Sequence, residues 1–284
     1  MNYKIITAII ILIISVGIFF ILNFENFEDK EIEPKSLIGE VPVPGSIFRI
    51  MVPFDKLIFD ENSKAITYQQ ANFELREELS ELYKEIGNDN KQNAVVIYPT
   101  FTETAYSKNG FYDYYSGKCN ESCLSVSIKT NFAGEYSSSR AGYQTLKLLN
   151  YKTITDIDVD KNSSILNNYD KVILLHNEYV TKKMFDAITT HSNVIYLYPN
   201  ALYAQIETDY EKNIITLIRG HGFPDPSIDN GFNWKFDNTR PYEFDNVCEN
   251  WKFDRIDNGY MLNCYPEYII FKDIELLKKI KNLE

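Results

Sequence analysis

Histidine is scarce in this chain, with three copies in 284 residues, and tryptophan has two. Each histidine therefore asks for a reason. Basic residues are outnumbered, 29 Lys and Arg against 40 Asp and Glu, for a formal net charge of -11. No stripe of Lys or Arg interleaved with aromatics occurs. A phosphate backbone would be repelled rather than neutralised, which excludes nucleic acid as a partner. The same acidity works against adhesion to anionic lipid. There is no internal repeat and no low-complexity tract, so a solenoid is excluded. Asp225, Asp229, Asp237 and Asp245 lack the 1-3-5-12 spacing of a calcium loop. What is abundant is apolar: 44% hydrophobic residues, with 21 Tyr and 18 Phe, enough for a buried core and not for a disordered chain.

The one long apolar run is Ile5 to Leu22, interrupted only by Thr7, Ser15 and Gly17. At about 1.5 Å per residue a helix covers roughly 27 Å over this length, close to the ~30 Å hydrocarbon core. The competing reading is a cleaved signal peptide, but Phe19, Phe20, Ile21, Leu22, Asn23 and Phe24 offer no small-x-small cleavage site. Residues 1–24 are therefore expected to be an uncleaved anchor. Lys4 precedes the run, and Glu25, Glu28, Asp29, Glu31 and Glu33 follow it. The expected topology is single-pass, with the N-terminus cytoplasmic and the C-terminal domain outside. Four cysteines, Cys119, Cys123, Cys248 and Cys264, agree with an exported, oxidising environment. Proximity in sequence favours the pairs Cys119–Cys123 and Cys248–Cys264. The rival, a four-thiolate zinc site, normally shows tighter C-x-x-C pairs.

Residues 25–45, with Pro34, Pro42 and Pro44, read as a stalk. Residues 46–92 are expected to add one or two strands between Ser46 and Phe59 and an amphipathic helix from Ala71 to Ile86. From residue 93 to 220, short apolar runs alternate with helical patterns. Ala94–Tyr98, Tyr151–Ile154, Lys171–Leu175 and Val194–Tyr198 read as strands, and Ser139–Leu149 and Thr181–Thr190 as helices, the second capped by Thr181. Strands apolar on both faces and separated by helices predict a parallel sheet with helices on both sides, a flavodoxin-like α/β domain. A hairpin is expected from Leu202–Ile206 and Ile214–Arg219. Residues 221–284 are expected to be a β-rich C-terminal extension ending in a helix over Ile274–Ile280. Trp234 and Trp251, set among Phe and Tyr, read as core in preference to a sugar platform.

In open α/β sheets ligands bind beyond the carboxyl ends of the strands, where the strand order reverses. The first strand exits into Pro99–Tyr106, read as a long connection, and the strand ending at Leu175 exits into His176-Asn177-Glu178-Tyr179. An ionisable pair directly after a strongly apolar strand costs stability unless it is solvated, paired or bound to an ion. Tyr106, His176 and Glu178 are accordingly expected to converge on one site. The bland alternative makes Glu178 a cap for the helix near Thr181 and leaves His176 bonded to backbone. His191 reads as a capping or surface residue, and His221, in Arg219-Gly220-His221-Gly222, as part of a Gly-rich turn after the hairpin, with reach to a ligand as the lesser alternative.

Three separated motifs, Val95–Tyr106 followed by Gly110–Tyr114, Tyr169-Asp170 leading to His176–Tyr179, and Asn200–Tyr203, resemble the C-terminal domain of N,N-dimethylformamidase large subunits over about residues 93–220. The resemblance implies a class I glutamine-amidotransferase-like variety of the flavodoxin-like sandwich. It also implies hydrolysis of a small amide by one iron ion held by two tyrosinates and a glutamate, with a histidine close by. Glu178 matches the family glutamate and His176 the neighbouring histidine. Tyr106 is the match for the first tyrosine, with Tyr112 as the alternative, and Tyr136 is the candidate for the second. Val180 stands where the family has tryptophan after Glu-Tyr, the large N-terminal β-domain and the small partner subunit of the amidases are missing from the pattern, and no cysteine stands at a strand-end elbow.

The leading expectation is a membrane-anchored, extracytoplasmic, metal-dependent hydrolase acting on a small amide C–N bond, with His176 moving protons. Its rival is a non-catalytic cell-surface binding or structural protein that keeps only the fold. Separation of Tyr106 from Glu178 would favour the rival.

Overall fold

A computed structural model describes residues 38–59, 65–89, 91–130, 138–239 and 242–284. The expected anchor at 1–24, the stalk up to residue 37 and Tyr136 lie outside the described residues. Among the described residues no helix is long and apolar enough to cross a membrane. The strands β1 (Ile38–Glu40), β2 (Phe48–Pro53) and β5 (Asn72–Leu75) form an antiparallel sheet in the order β1-β2-β5, while β3 (Leu57–Phe59) and β4 (Ala65–Tyr68) pair as a separate ribbon. The helix expected from Ala71 to Ile86 is shorter. Asn72–Leu75 pairs with β2, placing Phe73 opposite Ile50, and the helix α1 begins only at Ser80 and runs to Ile86. The leucines have helical spacing, but Phe73 gains more by stacking on Phe48 in the sheet, so tertiary packing overrides the periodicity.

Next come β6 (Ala94–Tyr98), the fully buried helix α2 (Thr100–Ala105), α3 (Phe111–Tyr115), β7 (Ser125–Ser127), α4 (Arg140–Leu148) and β8 (Lys152–Thr155). They are followed by α5 (Asp156–Lys161), β9 (Lys171–Leu174), β10 (Tyr179–Thr181), α6 (Lys182–Thr190) and β11 (Val194–Tyr196). The expected hairpin is β12 (Ala204–Asp209) with β13 (Ile214–Arg219), and the tail adds β14 (Phe253–Ile256), β15 (Gly259–Leu262) and α7 (Ile274–Asn282). The central sheet has the order β14-β15-β11-β9-β6-β8. Every neighbouring pair is parallel except β14 with β15. A second, mixed sheet has the order β10-β12-β13-β7.

Alternation along the central strands explains why the sheet is covered twice. Val96, Ile173, Ile195 and Leu262 face one apolar cluster, shared with Ile86 of α1, Leu146 of α4 and Leu276 of α7. Val95, Val172, Val194 and Met261 face the other, shared with Phe101 of α2, Val159 of α5 and Met184 of α6. The mixed sheet packs into this second cluster through Val180, Ile206 and Ile215. The molecule is thus mixed α/β, with a largely parallel sheet between two apolar layers.

Two expectations change. The exit after β6 is no long loop: Thr100–Ala105 closes into a helix that ends at Tyr106. The tail, expected as a β-rich extension, joins the domain itself: β15 lies parallel beside β11 and extends the central sheet. Gly259 permits this, because a Cβ there would run into the backbone of Val194. The cysteines form the disulfides Cys119–Cys123 and Cys248–Cys264. Trp234 packs against Tyr196 and Phe236, and Trp251 against Phe253 with its indole N–H on Asp273.

Candidate functional site

The first strand in the sequence of the central sheet, β6, lies between the second, β8, and the third, β9. The strand order therefore reverses at β6/β9, and the crevice beyond their carboxyl ends is where such sheets hold ligands. Both exits are fixed there by side chains. Thr102 of α2 accepts the backbone N–H groups of Glu178 and Tyr179, at 3.0 and 3.2 Å. Ser139 accepts the N–H of His176 at 3.0 Å, and the Glu178 carbonyl accepts from Tyr203 and Ala204. The segment 176–179 is thus clamped between α2, the start of α4 and the chain entering β12.

Glu178 is fully buried. The Tyr106 hydroxyl donates to its Oε2 at 3.0 Å, and the Tyr112 hydroxyl lies 3.1 Å from Oε1, 3.3 Å from Oε2 and 2.8 Å from the Tyr106 hydroxyl. His221 meets Oε1 through Nε2 at 2.5 Å, and His176 Nε2 stands 3.5 Å from Oε2. Tyr112 arrives on α3, whose N-terminus is Gly110. A Cβ there would collide with the carbonyl oxygens of Ala105 and Ser107, so glycine lets the chain turn from α2 into α3. Asp113 secures that turn by accepting the N–H of Asn109 at 2.7 Å.

Burial alone would push the Glu178 carboxyl up, but the hydrogen bond and charge of His221, with His176 and Tyr106, hold it below the ordinary value. Burial lowers His176 despite the attraction of Glu178, favouring the neutral imidazole. Burial, followed by the Glu178 charge, raises Tyr112. Ionising that phenol would call for positive charge at the same point.

The three oxygens of Tyr106, Tyr112 and Glu178 are mutually 2.8 to 3.3 Å apart. Oxygens on adjacent corners of an octahedron of about 2.1 Å radius lie roughly 3 Å apart, so this set fits a hard cation in spacing and donor type. Counting phenols is necessary: among the described residues, no group of three or more His, Cys, Asp and Glu is arranged to hold a metal ion.

The structure brings together Tyr106, Tyr112, His176 and Glu178. The two tyrosines, read as alternatives, are both present, while Tyr136 falls outside the described residues. Glu178 does not cap α6: Thr181 does, accepting from Met184 N. His221, assigned to a loop by sequence, reaches the carboxylate. Its signal was faint, a scarce residue type flanked by two glycines. His191 is the C-cap of α6, with Nε2 on the Tyr169 carbonyl.

These features define a class: an α/β domain with a buried carboxylate, phenols and imidazoles gathered at the switch point of a parallel sheet. The chain belongs to the family described as N,N-dimethylformamidase beta subunit-like, C-terminal, which it matches over residues 69–230, more than half its length. That span contains all three motifs and every residue of the cluster. A comparison with curated proteins finds no match.

Proposed function

We propose that this protein is a metal-dependent hydrolase of a small amide C–N bond, carried at a membrane by residues 1–24 with its α/β domain on the extracytoplasmic side. The family supports an amide-related, hydrolase-like function. The observation that carries the metal-dependent reading is the mutual contact of the Tyr106, Tyr112 and Glu178 oxygens. Those three residues would hold one iron ion, whose hard Lewis acidity, when bound, would serve to polarise an amide carbonyl or acidify water. The parallel strand order, second-first-third-fourth with a fifth beyond, supports a flavodoxin-like, class I glutamine-amidotransferase-like ancestry.

The chain's own groups suit the proton traffic of hydrolysis. His176 is buried and biased to the neutral form, so it can accept a proton from the attacking water and return it to the leaving amine. Tyr106 is 37% exposed while Glu178 is fully buried, so a small substrate approaches from the Tyr106 side. All four cysteines are paired, so no thiol nucleophile competes with this reading. The contact of Tyr106 with Glu178 supports it over a non-catalytic surface protein that keeps only the fold.

The test is elemental analysis of the purified full chain together with formamide hydrolysis by wild type and Glu178→Ala. Bound iron with activity that depends on Glu178 is the expected result. A metal-free protein, or activity unchanged by Glu178→Ala, would overturn the proposal.

A further inference from the structure

We infer that His221 is a positioning residue that fixes the Glu178 carboxylate, holding Oε1 so that Oε2 is presented to the Tyr106 hydroxyl and to a bound cation. The inference rests on the proposed metal site. It concerns a residue 43 positions from Glu178, carried on the turn after β13 of the mixed sheet, whose strand β10 begins directly after Glu178.

Three observations carry it. The first is contact: His221 Nε2 meets Oε1, Tyr106 and His176 stand on Oε2, and the Tyr112 hydroxyl reaches both, at 3.1 and 3.3 Å. The shortest contact, from the imidazole, falls on Oε1, and an imidazole N–H on that oxygen leaves Oε2 to ligate. The second is backbone. His221 has φ +56°, in the left-handed region that a non-glycine residue adopts at a cost and that clusters at functional sites. Gly220 beside it has φ +119°, and a Cβ there would stand 2.9 Å from Ala204 Cα and Cβ. The turn is pinned by His221 N on the Asp229 carbonyl and Gly222 N on the Ile228 carbonyl. The third is the ring's enclosure. Tyr115 lies at 5.0 Å between centroids, Tyr203 edge-on at 4.8 Å, and Tyr179 stacks at 5.9 Å with an interplanar angle of 10°. An imidazole confined on several sides and anchored through a strained turn has little freedom to leave the carboxylate.

Groups that hydrogen-bond a ligating carboxylate set its orientation and basicity. The same turn ties the β12–β13 hairpin to the site, so the mixed sheet acts as the brace for Glu178.

The experiment compares full-length wild type, His221→Gln and His221→Leu, each stripped of metal and titrated with ferric nitrilotriacetate. Bound iron and the visible phenolate-to-iron absorption are the readouts, with far-UV circular dichroism as the control for folding. Glutamine places an amide N–H where Nε2 was, so His221→Gln is expected within about 3-fold of wild type, and His221→Leu is expected to bind at least about 10-fold more weakly. If His221→Leu does not fold, His221→Asn takes its place, being polar, tolerant of positive φ and too short to reach Oε1. Wild-type iron affinity in the leucine or asparagine variant overturns the inference. So does an equal loss in the glutamine variant with folding intact, which would make the imidazole itself a ligand. A wild-type chain that takes up no iron overturns the metal site and the positioning role together.

Discussion

Glu178 and Glu267 are both buried carboxylates, and both accept from tyrosine, yet their surroundings drive them in opposite directions. Glu267, in the short 3-10 turn Pro266–Tyr268, accepts Ala141 N at 2.8 Å, at the start of α4, and the Tyr198 hydroxyl at 2.7 Å. Burial raises it to about 7, and the backbone and phenol donors only partly offset that. Glu178 is buried as deeply but has two imidazoles beside it, and it is held below the ordinary carboxylate value. Backbone amides, a phenol and the Arg140 charge do not outweigh burial at Glu267, whereas at Glu178 the direct hydrogen bond and charge of His221, with His176 and Tyr106, do. The Glu267 site therefore reads as a packed helix cap and the Glu178 site as a charged pocket suited to a cation.

The largest effect should come from converting the second kind of site toward the first. Glu178→Gln keeps the shape, removes the charge and is expected to reduce formamide hydrolysis about 1000-fold, or roughly 4 kcal/mol of transition-state stabilisation. Steady-state kinetics of the two proteins, with their iron content, would check this. A loss below 10-fold would erase the contrast between the two carboxylates.

Glu267 offers the converse test through pH. Its folded value of about 7 stands above the ordinary 4.5, so between these values the folded state binds more protons than the unfolded one. Stability from this group is then complete below about pH 4.5 and falls as pH rises to 7, by about 3 kcal/mol in all. Glu267→Gln should remove that slope while keeping an acceptor for Ala141 N. The measurement is urea unfolding of both proteins at pH 4.5, 5.5 and 7.5. Parallel curves would show that the carboxyl is not displaced.

Tyr106 and Tyr112 sharpen the contrast further. Each hydroxyl touches Glu178, and they touch one another at 2.8 Å. Tyr106→Phe and Tyr112→Phe are each expected to weaken iron binding about 10-fold or more, with the double variant less than additive because the three oxygens act as a unit. Titration of the three variants would show it. Full additivity would mean that the two phenols act independently.

How much of this was legible depended on the range of the forces involved. β6 and α6, with its Thr181 cap, follow from local apolar runs and capping chemistry. The His176–Glu178 pair stood out because ionisable residues directly after β9 demand an explanation within that segment. β5 was hidden because the Leu75, Leu79 and Leu82 spacing suits a helix, and only pairing with β2 settles the strand. The place of β15 depends on Gly259 approaching Val194, which no local pattern announces. His221 reads chiefly as loop for the same reason: its contact is made through the mixed sheet, and its positive φ is visible only in the folded chain.

A third buried carboxylate, Asp160, separates hydrogen bonding from charge, because its partners are hydroxyl groups. Thr181 donates to Oδ1 at 2.6 Å, and Thr208 and Tyr210 donate to Oδ2 at 2.9 and 2.6 Å. These bonds join α5, α6 and β12 on the face of the sheet that carries the Glu178 pocket. Thr181 has a second task, since its oxygen also caps α6 through Met184 N at 3.2 Å. Thr181→Val removes the cap and one of the three hydroxyl donors to Asp160 at once, and is expected to cost about 2 kcal/mol, against about 1 kcal/mol for Thr208→Val, which removes only a donor. Chemical denaturation of the two variants measures the difference. If hydroxyl donors serve packing alone, both losses should appear in stability, and iron affinity at the Glu178 pocket should stay unchanged. A fall in iron affinity with either variant would instead tie Asp160 to the charged pocket and blur the division between the two kinds of buried acid.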